Sequence, residues 1–153
     1  MATLPDVLSS ADKKEPVIDD CLALIDAEVA DKGGISGLAL KAGYGAVKGI
    51  KPGFIRHVVG DLLPEFAQAL DPFYQEAVEK KKKPSEHFVQ NSSRVADALL
   101  SITDARAKSA KSGVVRSTYD KLRGSAKKNV EAALPRLGRL VEKHAALQDK
   151  PAN

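Results

Sequence analysis

The stretch Gly33–Gly53, GGISGLALKAGYGAVKGIKPG, holds seven of the chain's eleven glycines. Its reading decides the fold, because glycines threaded through Ile, Leu, Val and Tyr suit a phosphate-cradling loop, a membrane helix or a tightly packed helix. A phosphate loop needs Gly-x4-Gly-Lys-Ser/Thr, and that spacing is absent. GYGAVKG, residues 43–49, begins as Gly-x-Gly, but its third glycine comes one position late. A dinucleotide turn must also follow a strand, whereas the segment before it reads as an acidic amphipathic helix. A membrane helix needs about 20 apolar residues. The longest run free of Asp, Glu, Lys and Arg is Gly33 to Leu40, eight residues, and Lys41 and Lys48 then interrupt the apolar pattern.

The packed helix remains. On a helical wheel, Gly37, Lys41, Tyr44, Lys48 and Lys51 share one stripe, and nearly every other position from Ile35 to Ile50 is apolar or small. A helix apolar around most of its circumference is a buried one. Glycine inside a helix costs about 0.5–1 kcal/mol relative to alanine, so this many glycines need an offsetting close approach of neighbouring helices. The pattern predicts a central, buried helix over 35–50, and a substitution such as Gly45→Leu is expected to overpack it by about 1–3 kcal/mol.

Outward from this helix the signals are helical on both sides, with no alternating β-branched run and no Asn-Gly or Asp-Gly hairpin turn. Thr3 caps a short opening helix with Pro5 in its first turn. Ile18, Cys21, Leu22, Ile25 and Val29 recur at helical spacing from about Pro16 until Lys32-Gly33-Gly34. Pro52-Gly53 separates off a helix carrying Phe54, Val58, Val59 and Leu62. Pro64 opens another, and Asp71-Pro72 reads as the N-cap and first turn of a third. After Lys80–Lys83, a long helix runs from about Ser85 to Ala107. A last one runs from about Gly113 to Leu147, kinked or broken at Pro135. The expectation is an all-α, single-domain bundle of six or seven helices over 1–148, with a frayed tail at 149–153.

A 153-residue chain has room for one such domain, and 43% hydrophobic with 29% charged residues is ordinary globular composition. Cys21 is the single cysteine; beside Ile18 and Ile25 it reads as a buried, inert thiol. The N-terminus has neither a basic n-region nor an apolar h-region. The chain is therefore expected to be soluble and cytoplasmic, without a transmembrane segment.

No catalytic, cofactor or metal residues are assigned. His57 and Asp61, one turn apart, form an ordinary surface pair for which the sequence supplies no third ligand. His87 sits at a helix start, and His144 in a basic last turn suits the helix dipole. Gln90–Arg94, QNSSR, lies within the long helix, lining a polar cavity or facing solvent. The strongest functional signal is charge: twelve basic and sixteen acidic residues up to Asp104, then twelve basic and four acidic. Such asymmetry marks either a polyanion-binding end or two halves of one fold that attract each other. The polyanion-binding candidates are Arg116, Lys121, Arg123, Lys127, Lys128, Arg136, Arg139 and Lys143, a set that would bind nucleic acid weakly and without sequence preference, or attract anionic lipid.

The glycine-rich helix, the segment ALDPFYQEA at 69–77 and the Ala/Lys-rich C-terminal helix together resemble small all-helical bacterial proteins of uncharacterised families. The resemblance implies a cytosolic bacterial protein and no activity, so no functional residues are carried over. The function read from the sequence is a non-enzymatic interaction or scaffold protein with a protein partner or a second copy of itself. A polyanion binder through the basic C-terminal helices is second, and an enzyme with an unrecognised site third.

Overall fold

The computed structural model describes residues 3–10 and 13–149, without the side chains of residues 35, 36 and 147–149. Seven helices and no strand occur among them: α1 Leu4–Leu8, α2 Lys14–Asp31, α3 Gly34–Lys48, α4 Phe54–Glu79, α5 Pro84–Gln90, α6 Ser92–Lys108 and α7 Gly113–Asp149. The fold is the expected all-α multi-helical domain. Of the expected tail, Asp149 closes α7, and 150–153 lie outside the described residues.

Two long helices organise the packing. Both α4 and α7 touch α1, α2, α3, α5 and α6, and the core lies between them. α4 contributes Leu63, Ala67, Leu70, Phe73 and Tyr74, while α7 contributes Leu134, Leu140 and Val141. Phe88, Val95 and Leu99 enter from α5 and α6, and Leu4, Val7 and Val17 close the near end from α1 and α2.

Prolines punctuate less than the sequence suggests. α4 is one helix through Pro64 and Pro72 rather than three, and α7 runs 37 residues through Pro135, about 55 Å at 1.5 Å per residue. Each proline removes one intrahelical bond, yet the buried stripe Leu63, Ala67, Leu70, Tyr74, Ala77 continues across both sites in α4. Burial of that stripe outweighs the lost bonds. Asp71 consequently caps no helix of its own. Its Oδ1 accepts the Leu4 N–H at 2.9 Å, from the first turn of α1, and a Gln75 amide hydrogen at 3.1 Å. Thr3 caps α1 as expected, in a reciprocal pair with Asp6. The break comes instead at Asn91, between α5 and α6, inside what the periodicity predicts as one helix.

The largest correction concerns α3, which is peripheral rather than central. It packs against α2, α4 and the first half of α7. Leu38 is 69% exposed, and Ala39, Lys41, Ala42, Gly45, Ala46 and Lys48 also face solvent. Its inner stripe is Gly37, Leu40, Gly43, Tyr44 and Val47. Only two of these glycines answer to close packing. A Cβ on Gly37 would fall 2.7 Å from the Lys32 carbonyl carbon, and one on Gly43 2.9 Å from Thr118 Cγ2 and 3.0 Å from Leu122 Cδ1. Gly45 faces open space, so overpacking has no object there. Gly45→Ala is expected to raise stability by about 0.5–1 kcal/mol, by removing backbone freedom from the unfolded chain. Denaturant titration checks this, and a loss of stability would return α3 to the interior.

Candidate functional site

The eight basic candidates of α7 divide by the direction in which the helix aims them. Arg123, Lys127, Arg136 and Lys143 point at neighbouring helices and find carboxylates. Arg123 donates from Nε and Nη2 to Asp104 of α6 at 2.8 and 3.1 Å, and Lys127 lies 3.1 Å from Asp97. Arg136 bridges Glu28 and Asp31 of α2, and Lys143 donates to Asp20 at 2.9 Å. The charge asymmetry thus serves, at these positions, to join the basic end of the chain to carboxylates of α2 and α6. The Arg123 guanidinium and the Tyr119 hydroxyl hold the Asp104 carboxyl below its usual range. Burial acts to raise the Asp20 carboxyl, but bonds from Lys143 and His144 outweigh it and lower the net value.

The other four candidates meet no carboxylate in an ion pair among the described residues; Arg116 shares the side of α7 that carries Arg123 and lines a cleft with Asp104, Ala107 and Lys108 of α6. Arg116 donates to the Ala110 carbonyl at the start of α7. Lys121, Lys128 and Arg139 are exposed, and no ion pair among the described residues involves them. Thr118 and Leu122 are the α7 residues facing Gly43; at about 100° per residue, Val114, Lys121 and Lys128 lie together on one flank of that edge.

The outer face of α3 has an uncommon composition. No acidic residue occurs between Asp31 and Asp61. Lys41, Lys48 and Lys51 are exposed around α3, and Leu38 and Val114 are two of the largest exposed apolar side chains, at 69% and 46%. Lys48 lies 4.9 Å from the centre of the Tyr44 ring and 3.9 Å from Asp26, which accepts the Tyr44 hydroxyl at 2.6 Å. The α3 lysines are visible in the sequence, but on a wheel they form a thin polar stripe that gives no sign of an open face.

The remaining candidates become structural. His57 Nε2 lies 3.2 Å from Asp61 with both side chains mostly exposed. The polar run at 90–94 is the joint between α5 and α6. Asn91 donates to the His87 carbonyl at 3.0 Å, Ser92 to Glu131 at 3.2 Å, and Arg94 stacks 5.0 Å from the Phe73 ring. His87, near the start of α5, is buried, as is His144, whose Nε2 is 2.7 Å from Asp20 Oδ2. Cys21 packs against the core, and burial pushes its thiol up to about 11, with the Asp20 charge acting the same way. A thiol held there is protonated at neutral pH and a poor nucleophile.

No helix among the described residues is long and apolar enough to cross a membrane. The model of a family of unknown function, DUF6918, matches residues 4–145, and the chain belongs to that family. No curated protein and no solved structure matches.

Proposed function

We propose that this member of the family is a non-enzymatic interaction protein that docks on an anionic lipid surface through the outer face of α3 and the adjoining side of α7. The observation that carries the reading is that an apolar, acid-free helix lies at the periphery with lysines and Leu38 turned outward. Lysines near an anionic membrane contribute about 1 kcal/mol each. Lys41, Lys48, Lys51, Lys121 and Lys128 then supply reversible attraction, while Leu38 and Val114 enter the headgroup boundary. The cytoplasmic leaflet, where anionic lipid is concentrated, is the surface such a face would meet.

Nucleic acid is the weaker match. Recognition of phosphate by forked hydrogen bonds favours arginine, and stacking needs free aromatics. The outward cations of α3 are lysines, and Tyr44 is bonded to Asp26. A second copy placed on the same face would meet its own charge. The test is co-sedimentation with phosphatidylcholine vesicles, with and without phosphatidylserine, at about 50 and about 200 mM salt. Binding is expected only to the anionic vesicles, weaker at the higher salt, and lost in Lys41→Glu/Lys121→Glu. Equal binding to both vesicles, or binding to a labelled DNA duplex but to neither vesicle, would overturn the proposal.

A further inference from the structure

A half-open cavity of about 260 Å³ lies between the helices, lined by side chains from α1, α2, α4, α6 and α7. Its walls include Leu8, Ile25, Leu63, Phe66, Leu99 and Leu137, and no polar surface faces into it. Protein interiors pack like organic crystals, with few voids larger than one water, so a space of this size between five helices is not ordinary slack. Water does not fill it favourably, because each buried water needs two to four polar partners. The one hydroxyl along the wall, that of Thr103, is already committed to the Leu100 carbonyl at 3.1 Å and to Tyr119 Oη at 2.8 Å. An apolar space without partners for water is filled best by an apolar molecule, as dry engineered cavities of about 150 Å³ are by benzene.

We infer that this cavity is a binding site for a hydrocarbon group of about ten non-hydrogen atoms, scaled from the six of benzene in about 150 Å³: a medium-length chain or a small fused ring. The site is separate from the lipid-docking face, since no α3 residue lines the cavity. The ligand is recognised by shape and apolarity alone, with no hydrogen bond to orient it. Cys21 and Ala133, both in the wall, are the positions where a larger side chain would occupy the space itself.

The experiment is a titration of the full chain, methyl-labelled at Leu and Val, with naphthalene and separately with 1-octanol, followed by NMR. Saturable shifts are expected at the methyls of Leu63, Leu99 and Leu137 with at least one probe, while Leu38 and Val114 stay unmoved. Ala133→Leu is expected to abolish those shifts, and the flexible gap-filler in Cys21→Met to do the same should the first variant fail to fold. Shifts that never saturate, shifts confined to Leu38 and Val114, or saturable binding retained in a folded filled variant would each overturn the assignment. Vesicle binding and its loss in Lys41→Glu/Lys121→Glu report on the docking face, which shares no residue with the cavity wall, so the two proposals fail separately.

Discussion

Gly138→Ala is expected to destabilise the protein by about 3 kcal/mol or more, at the upper end of what overpacking does. Gly138 is buried where α7 crosses the first turn of α5. A Cβ there would fall 2.2 Å from Ser85 Cα, 2.7 Å from Ser85 Cβ and 2.8 Å from Ser85 N. Two of these atoms are backbone, so no rotamer change relieves the contact and α5 itself must move. Moving it also breaks the cap of that helix. Lys83 offers α5 no side-chain hydrogen bond; Glu142, one turn beyond Gly138, accepts the Ser85 N–H at 3.0 Å and the Ser85 hydroxyl at 2.6 Å. A carboxylate at a helix N-terminus is favoured by the exposed N–H groups and the helix dipole. Denaturant unfolding followed by circular dichroism gives the measurement. Gly124→Ala, whose Cβ meets nothing within 4 Å, is the control in the same helix. Equal stability of the Gly138 variant and the parent would mean that α5 does not cross α7 at this distance.

Phe88→Ala is expected to remove about 3–5 kcal/mol, the usual range for deleting a buried phenyl ring. Phe88 is fully buried, while its neighbour Val89 is 46% exposed. α5 spans only seven residues, too few to be stable in isolation, so its place in the fold depends on packing of this ring. Against a total stability of about 5–15 kcal/mol for a domain, the loss is severe. Val89→Ala, one position away, is expected to change stability by less than about 0.5 kcal/mol. A ratio near unity between the two variants in a thermal or denaturant melt would contradict the placement of α5. Both experiments address the same joint, one through excess volume and the other through missing volume.

The joint shows where sequence reading stops. Ser85 to Ala107 carries continuous helical periodicity, and nothing local demands the break at Asn91. Phe88 and Val95 reach the core from separate helices, although seven residues apart they would share a face of one unbroken helix as well. The prolines of α4 illustrate the converse. Pro64 and Pro72 are local stop signals, overruled because a buried stripe on both sides rewards continuity. Asp71 pairs in sequence with Pro72 as a helix start, yet in the fold it serves a helix 67 residues earlier in the chain. α3 departs from expectation for a related reason. Alanine and glycine are compatible with a crowded interior and with open solvent alike, so a wheel dense in them carries little information about which side is buried. Gly43 and Gly45 are alike in sequence, yet only Gly43 faces another helix.

Local sequence suffices for the all-helical class, the positions of most helices, the cap at Thr3, the inward side of Cys21 and the excess of positive charge after Asp104. Each of these rests on periodicity, capping chemistry or counting within one segment. The tertiary structure decided which cations of α7 meet carboxylates and which do not, that α4 and α7 rather than α3 form the centre, and that five helices line an apolar cavity. These depend on the distances between residues far apart in the chain, and those are set by how the helices cross, which no single segment encodes.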